Sequence, residues 1–265
     1  MDYSAYWGMP ASPFTEGALA TTSPLLDEAM ARLSFLVDER RPLGILVGES
    51  GTGKTTLLKL FASRLARRGV LVCRDSVMGR QSYEMLWELG NRLGARPSSG
   101  EPLMSIWNAL ESRLTELALD RVRVALLLDD VDGALGDAVT QINRLLTLSD
   151  RFPKLLTLIL VSSPCSLQRL GTRVLEQAHL RIDLGAWSLE ETVEFMKRAF
   201  DASGCRSTPF EPAAIDRLHF LAQGMPGQIR RIADLALMVA ATEKRESINE
   251  TLVEVLFSEF APVAA

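Results

Sequence analysis

The sequence predicts an α/β fold, in which helices sandwich a parallel five-stranded sheet and an all-helical domain follows. Two observations lead to this prediction. Five short, continuous apolar runs alternate with helical patterns, and only helical patterns are predicted after residue 185. Continuous hydrophobicity is typical of strands that are covered on both faces, as in parallel sheets. Alternation of strand and helix then indicates a doubly wound arrangement.

Each element of the predicted core follows from its pattern of apolar residues. A first helix is expected from Ser23-Pro24, which supply a cap and a first-turn proline. The predicted strands are 43–47, 70–73, 122–128, 155–161 and 180–184. The helices between them are predicted at 54–68, 81–93, 102–119, 134–149 and 166–177.

The chain is predicted to have three parts. Residues 1–22, rich in proline, serine, threonine and aromatic residues, are expected to form an irregular N-terminal arm, and 23–185 form the α/β core. The helical domain, 186–265, opens with the capping box SLEE at 188–191, in which Ser188 and Glu191 satisfy each other's backbone donors. Its helices are predicted at 189–202, 212–222, 227–242 and 249–260.

Composition limits the classes of function. Apolar residues make up 47% of the 265, and the net charge of −4 disfavours a broad nucleic-acid clamp while still allowing a local basic patch. The three cysteines form no CxxC pair, which fits a reducing compartment and argues against a disulfide framework or a zinc site. The longest apolar runs are far shorter than the ~20 residues of a membrane helix, so we expect a cytoplasmic protein without a membrane span.

The segment GESGTGKT at 48–55 matches G-x-x-x-x-G-K-[ST] between a predicted strand and a predicted helix. Glycines let a loop backbone wrap a phosphate with its N–H groups pointing inward, and the helix N-terminus adds partial positive charge. The alternative, a chance glycine-rich turn, is disfavoured by the strand–loop–helix context. Lys54 is predicted to bridge the β- and γ-phosphates, and Thr55 to bind Mg²⁺ through its hydroxyl. The predicted nucleotide-binding residues are Gly48, Glu49, Ser50, Gly51, Thr52, Gly53, Lys54, Thr55 and Thr56.

Two carboxylates, Asp129 and Asp130, end the apolar run 122–128. Adjacent buried carboxylates repel unless a cation pairs with them. Because ligands bind at the carboxyl ends of strands in open α/β sheets, we predict that Asp129 binds Mg²⁺, either directly or through a bound water. Asp130 is predicted to orient or deprotonate the attacking water, and its alternative role is to cap the following helix.

Ser162 and Ser163 follow the next strand, where a hydroxyl can contact the γ-phosphate or the water. Serines before a proline are also common turn residues, and both interpretations stay open. The sequence contains no N-K-x-D segment to read guanine, which favours ATP over GTP.

Five segments of the chain match a known family pattern: YWGMPASPF, GESGTGKTT, LLLDDVD, LRIDLGAWSLEET and HFLAQGMPGQIRRIADLAL. In these segments the chain resembles an AAA+ ATPase, and within that class the ExeA/GspA (general secretion pathway protein A) family, with the TniB/TnsC-type transposition ATPases as relatives. The resemblance implies an ATP-binding core, a helical lid, dependence on Mg²⁺ and assembly into a homo-oligomer on ATP binding.

Two departures from the family pattern change what the resemblance implies. Glutamate often follows the metal-binding aspartate, and here the shorter Asp130 predicts slow hydrolysis. The lid often reads G-x-P-R, with an arginine that contacts the γ-phosphate, but here Gly227 stands in that place. Arg230 or Arg231 is expected to substitute, unless the contact is missing. The candidates for an arginine given to a neighbouring subunit, each equally a surface residue, are Arg169, Arg173 and Arg181.

Three functions compete. The leading hypothesis is an ATPase that assembles, or remodels an unidentified protein partner, under nucleotide control. The alternative is an ATP-dependent adaptor or DNA-binding switch with weak hydrolysis. A P-loop small-molecule kinase is the third, and a separate C-terminal helical domain disfavours it.

Overall fold

The computed structural model describes residues 3–14, 24–152, 154–205 and 208–260. The chain divides into two compact units. The sheet unit comprises Glu28–Glu49 and Leu57–Leu184. The helical unit comprises Ser50–Thr56 and the described residues of Met1–Asp27 and Gly185–Ala265. The phosphate loop and the N-terminal arm are thus grouped with the C-terminal helices.

Five parallel strands form the sheet, in the order β2-β3-β4-β1-β5. This confirms the predicted fold class. All strands point the same way, so the residues that follow them emerge at one edge of the sheet. The strands are β1 Leu43–Gly48, β2 Leu71–Ser76, β3 Val124–Asp129, β4 Leu156–Ser162 and β5 Leu180–Leu184.

Burial explains why the strands read as continuous apolar runs. Every residue of the central strands β1, β3 and β4 is buried. The edge strands β2 and β5 are partly exposed, and they carry the polar residues Arg74, Ser76, Arg181 and Asp183. Helices cover both faces of the central strands, so no position there tolerates a solvated side chain.

Helices account for most of the remaining structure. Short 3₁₀ segments also occur, at Val131–Gly133 and Pro164–Leu170. The α-helices are α1 Tyr3–Tyr6, α2 Pro24–Asp38, α3 Lys54–Arg67, α4 Ser82–Leu93, α5 Leu103–Leu119, α6 Ala138–Arg151, α7 Thr172–Gln177, α8 Leu189–Ala202, α9 Pro212–Leu221, α10 Pro226–Thr242 and α11 Glu250–Phe260.

Two predicted helices differ from the structure. The helix expected at 166–177 is divided into a 3₁₀ segment and the short α7, because Gly171 between them has φ 85° and ψ 154°, far from helical values. The helix expected from residue 134 begins only at Ala138. Gly136 precedes it in the left-handed region, with φ 59°. In both cases a glycine interrupts the apolar periodicity.

The predicted capping box at the start of α8 is present. The Glu191 N–H donates to the Ser188 hydroxyl over 3.2 Å, and the Ser188 N–H donates to the Glu191 carboxylate over 2.8 Å. The predicted cap Ser23 of α2 lies outside the described residues.

The N-terminal arm packs on the helical unit. Met9 and Phe14 are buried in its apolar core, where the Phe14 ring stacks on Phe195 with centroids 5.9 Å apart. The arm is irregular except for the four-residue α1, and its predicted portion 15–22 lies outside the described residues.

Polar contacts attach the arm to α10. The hydroxyls of Tyr3 and Ser12 both donate to the same oxygen of Asp234. The indole N–H of Trp7 donates to the Leu237 carbonyl over 3.0 Å. One face of α10 is therefore covered by the start of the chain.

None of the described helices combines the length and the apolarity needed to cross a membrane.

Candidate functional site

The phosphate loop connects β1 to α3. Gly48 ends the strand, Lys54 is the first residue of the helix, and Gly51 and Gly53 have φ values of 86° and 92°. L-residues with a Cβ are strained in this region, which explains why glycines occupy these positions. Thr52 between them is buried. The first N–H groups of α3 have no acceptor within the helix and add partial positive charge, so the loop suits an anion.

A second helix contacts this loop within the helical unit. The backbone N–H of Gly227, in the first turn of α10, donates to the Gly51 carbonyl oxygen over 2.8 Å. A Cβ built on Gly227 would lie 3.0 Å from that oxygen and 3.1 Å from the Gly51 Cα. The sequence drew attention to Gly227 only as a missing arginine, whereas the structure assigns it a contact of its own.

The two adjacent carboxylates have different surroundings. Asp129, the last residue of β3, is 1% exposed, and one of its carboxylate oxygens accepts the Asp130 N–H over 3.1 Å. Asp130 is in the left-handed region at φ 54°, and its carboxylate accepts the Ser76 hydroxyl over 3.0 Å. Its side chain makes no capping hydrogen bond to the 3₁₀ segment that follows.

Ser76 was missed by the sequence analysis. It ends β2 and is in register with Asp129, so it stands beside the carboxylates at the same sheet edge. The only sequence signal was a polar residue directly after the apolar part of a strand, and an exposed strand end explains that pattern equally well.

The two serines after β4 are distinguished by their contacts. Ser162 is buried, is in register with Val47 of β1, and donates its hydroxyl to the Ser163 carbonyl over 3.2 Å. The Ser163 N–H donates over 3.3 Å to the carboxylate of Asp132, which also accepts the Ser163 hydroxyl. Asp132 and Ser163 therefore join the segments that follow β3 and β4.

Sheet topology brings several predicted site residues to one edge. Gly48, Asp129 and Ser162 each end a strand, and β4 lies between β3 and β1. In open parallel sheets this carboxyl edge is the place where ligands bind. Asp75, nearby on β2, is held by ion pairs to Arg80 at 2.5 Å and Arg92 at 3.6 Å. Burial raises the pKa of Asp75, and the two arginines partly oppose that rise.

The donor types fit a magnesium ion. Mg²⁺ is usually held by one or two protein oxygens together with phosphate oxygens and water, and the Thr55 hydroxyl and the Asp129 carboxylate are donors of that kind. Within the ranges the structure describes, no group of three or more histidine, cysteine, aspartate or glutamate side chains that could hold a metal ion occurs.

The predicted arginines have varied settings. Arg230 is half-buried in α10, one turn after Gly227, and the neighbouring Arg231 is exposed. Arg181 forms a bidentate ion pair with Asp183 of its own strand, with nitrogen–oxygen distances of 2.6–3.0 Å. Arg173 donates to the Thr147 hydroxyl over 3.4 Å, and Arg169 lies in the 3₁₀ segment before Gly171.

These features define the class of the protein. The phosphate loop between β1 and α3, the two carboxylates at the end of β3 and the sheet order are those of a P-loop protein. The AAA domain family matches residues 37–170. The chain belongs to the AAA domain family.

One curated relative and two solved structures are similar to the chain. General secretion pathway protein A of Aeromonas hydrophila is 24% identical over 247 residues, which cover 90% of this chain and 45% of the relative. The chain thus spans less than half of that relative's length, and the predicted resemblance to the ExeA/GspA family is confirmed.

The solved structures are similar in fold. The Aeropyrum pernix ORC2 protein in its ADPNP–ADP complexes has a TM-score of 0.67 at 18% identity, over 96% of this chain and 72% of that one. The Aeropyrum pernix ORC1 protein in complex with DNA has a TM-score of 0.70 at 17% identity, over 88% of this chain and 64% of that one. At these identities the likeness concerns the fold alone.

Proposed function

We propose that the protein binds ATP with Mg²⁺ and hydrolyses it slowly, and that the nucleotide controls its assembly or its action on a protein partner. The observation that carries the proposal is the loop from Gly48 to Lys54, with glycines in the left-handed region at Gly51 and Gly53 before the N-terminus of α3. Backbone in this conformation turns successive N–H groups toward a single anion. Such a loop favours a phosphate chain over a neutral ligand.

Each side chain has a distinct part in this proposal. The Lys54 ammonium neutralises charge between the β- and γ-phosphates, and Thr55 and Asp129 hold the magnesium ion. When bound, the ion offsets the charge that develops on the phosphate oxygens. Asp130 accepts a hydrogen bond from the attacking water and orients it toward the γ-phosphate. Ser162 is the proposed polar contact to the γ-phosphate at the end of β4, and Arg230 the proposed lid arginine.

The shorter Asp130 supports slow turnover. Its carboxylate is one methylene closer to the backbone than a glutamate would be, so its reach toward a bound water is shorter. Positioning errors of about 1 Å cost rates on the order of 100-fold.

A phosphate-release assay tests the proposal. Wild type is expected to release phosphate from ATP in the presence of Mg²⁺, Lys54→Ala and Asp130→Asn are expected to abolish the release, and Asp130→Glu is expected to increase it. Wild type that releases no more phosphate than Lys54→Ala, with or without DNA, contradicts the hydrolase.

Assembly is the second part of the proposal. Membership of the AAA domain family supports assembly into homo-oligomers in which one subunit offers an arginine, here Arg169, Arg173 or Arg181, to its neighbour's nucleotide. Light scattering with ATP, with ADP and without nucleotide tests it. A larger particle is expected with ATP, and an unchanged mass in all three conditions contradicts nucleotide-controlled assembly.

We also propose that the protein is located in the cytoplasm.

An ATP-dependent adaptor or DNA-binding switch with weak hydrolysis is the second candidate. Gly227 in place of the lid arginine and the short Asp130 favour it, because both weaken hydrolysis more than binding. The ORC1 protein with a similar fold is bound to DNA, although the net charge of −4 gives this chain no general attraction to DNA. Fluorescence anisotropy with duplex DNA at low salt, with and without ATP, separates the candidates, because only the DNA switch predicts binding that depends on ATP.

A further inference from the structure

Gly227 is a glycine for reasons of space. Its φ lies outside the left-handed region, so the backbone at this position would accept any L-residue. Glycine is disfavoured in helices relative to alanine, so the helix itself gains nothing from it. What requires glycine is the Gly51 backbone, since a Cβ on Gly227 would lie 3.0 Å from the Gly51 oxygen and 3.1 Å from its Cα. A Cβ at residue 227 therefore requires α10 and the phosphate loop to shift by a few tenths of an ångström relative to each other.

The hydrogen bond between the two glycines also serves the helix. The first N–H groups of an α-helix have no acceptor inside it. Pro226, the first residue of α10, has no N–H, and the N-cap residue Met225 provides no side-chain acceptor. The first N–H group of α10 is therefore that of Gly227, and the phosphate loop provides its acceptor at 2.8 Å.

The same bond orients part of the loop. The described backbone contains no cis peptide bond, and in a planar trans peptide the C=O and N–H groups point in opposite directions. With the Gly51 carbonyl directed at α10, the Thr52 N–H points away from that helix. Phosphate loops bind through such backbone N–H groups, so the orientation of this peptide affects phosphate affinity.

We propose that Gly227 is a positioning residue for the phosphate loop, and that its bond to the Gly51 carbonyl couples phosphate binding to the placement of α10. The inference rests on the proposed function, because it needs a nucleotide in the loop. The contact is made to the loop backbone and not to a γ-phosphate. It therefore affects the affinities for ADP and ATP equally, whereas a lid arginine that touches the γ-phosphate affects the affinity for ATP alone.

Nucleotide affinity tests the coupling. We would measure the dissociation constants of fluorescent ADP and ATP analogues for wild type, for Gly227→Ala, and for Gln228→Ala, a matched change at the next residue of the same helical turn. Gly227→Ala is expected to lower the affinities for both nucleotides by a common factor of about three to ten, which corresponds to the free energy of one hydrogen bond. Gln228→Ala is expected to bind both as wild type does.

Each alternative outcome has a different meaning. Unchanged affinities in Gly227→Ala, with or without a lower melting temperature of the nucleotide-free protein, indicate a purely structural glycine and overturn the inference. Loss confined to ATP also overturns it, because that pattern indicates γ-phosphate sensing. If wild type binds neither nucleotide, the proposed function itself fails and the inference fails with it.

A second variant covers the case in which Gly227→Ala does not fold. Met225→Asn adds a side-chain oxygen at the N-cap of α10, where it competes for the Gly227 N–H without adding bulk at the contact. Met225→Asn is expected to lower the affinities for ADP and ATP by one common factor, which is smaller than the factor for Gly227→Ala. Wild-type affinity for both nucleotides in a folded Met225→Asn contradicts the coupling.

Discussion

The hydroxyl of Ser76, at the end of β2, donates a hydrogen bond to the Asp130 carboxylate, which follows β3, over 3.0 Å. Asp130 itself has φ 54°, and its N–H is bonded to the Asp129 carboxylate. Two hydrogen bonds thus hold Asp130, the proposed water-orienting residue. Asp129 accepts its backbone N–H, and Ser76 of the adjacent strand β2 donates to its carboxylate.

Removing the Ser76 hydroxyl is expected to reduce turnover without affecting nucleotide binding. In Ser76→Ala the Asp130 side chain loses the contact that orients it. A hydrogen bond to a charged group contributes about 1.5–3 kcal/mol, so we expect kcat for ATP hydrolysis to fall at least about tenfold, with KM unchanged. Ser76→Thr keeps the hydroxyl and is the matched control. Equal turnover in wild type and Ser76→Ala would show that the bond has no part in catalysis.

A glycine substitution in the phosphate loop is expected to reduce affinity beyond its cost in stability. Gly53→Ala forces a Cβ into φ 92°, which costs about 1–2 kcal/mol, and displaces the N–H groups at the start of α3. Gly79→Ala is the matched control, since Gly79 has φ 70°, has nothing within 4 Å of a built Cβ and lies outside the loop. Both variants should unfold at lower urea concentration, but only Gly53→Ala should lose ATP affinity. Equal ATP affinity in the two contradicts the role of the loop.

The contact between the arm and α10 is expected to stabilise the helical unit. Asp234→Ala removes the acceptor of both the Tyr3 and the Ser12 hydroxyls, and we expect the unfolding free energy to fall by about 1–3 kcal/mol. Hydrogen exchange measured by mass spectrometry should show faster exchange in residues 3–14. Asp216→Ala, at an exposed position of α9, is the control and should exchange as wild type does. An arm that stays protected in Asp234→Ala would mean that its apolar contacts suffice.

The cysteines are expected to differ sharply in reactivity. Hydrogen bonds with the Ser163 and Ser166 hydroxyls lower the pKa of the exposed Cys165 thiol, whereas burial raises the pKa of Cys73 to about 12. The thiolate is the reactive form, so at pH 7–8 Cys165 should react with iodoacetamide faster than an ordinary thiol, and its rate should level off at a lower pH. Cys73 should stay unmodified until the protein unfolds. Peptide mapping by mass spectrometry measures both rates, and modification of Cys73 before Cys165 would contradict the assignment.

Much of the fold could be predicted because burial leaves a strong sequence pattern. The strands β1, β3 and β4 are covered on both faces and read as continuous apolar runs, and GESGTGKT identifies the loop that connects β1 to α3. The breaks at Gly136 and Gly171 were missed because a glycine within a helical pattern does not by itself reveal its φ.

The contacts that refine the site had no comparable signal. Two hydrogen bonds join residues that are far apart in the sequence, one between Ser76 and Asp130 and the other between Gly227 and Gly51. Such pairs follow no periodicity. The attachment of the arm to Asp234 likewise depends on single hydrogen bonds between distant segments. Tertiary structure alone brings these partners together.

The central claim is that the loop from Gly48 to Lys54 binds a nucleoside triphosphate. Isothermal titration calorimetry with ATP and Mg²⁺ tests it most directly, with Lys54→Ala as the variant and Lys197→Ala, at an exposed position of α8, as the control. We predict saturable binding at one site in wild type and in Lys197→Ala, and affinity at least about tenfold weaker in Lys54→Ala. The absence of binding heat from folded wild type across temperatures, or equal affinity in Lys54→Ala, would contradict the claim.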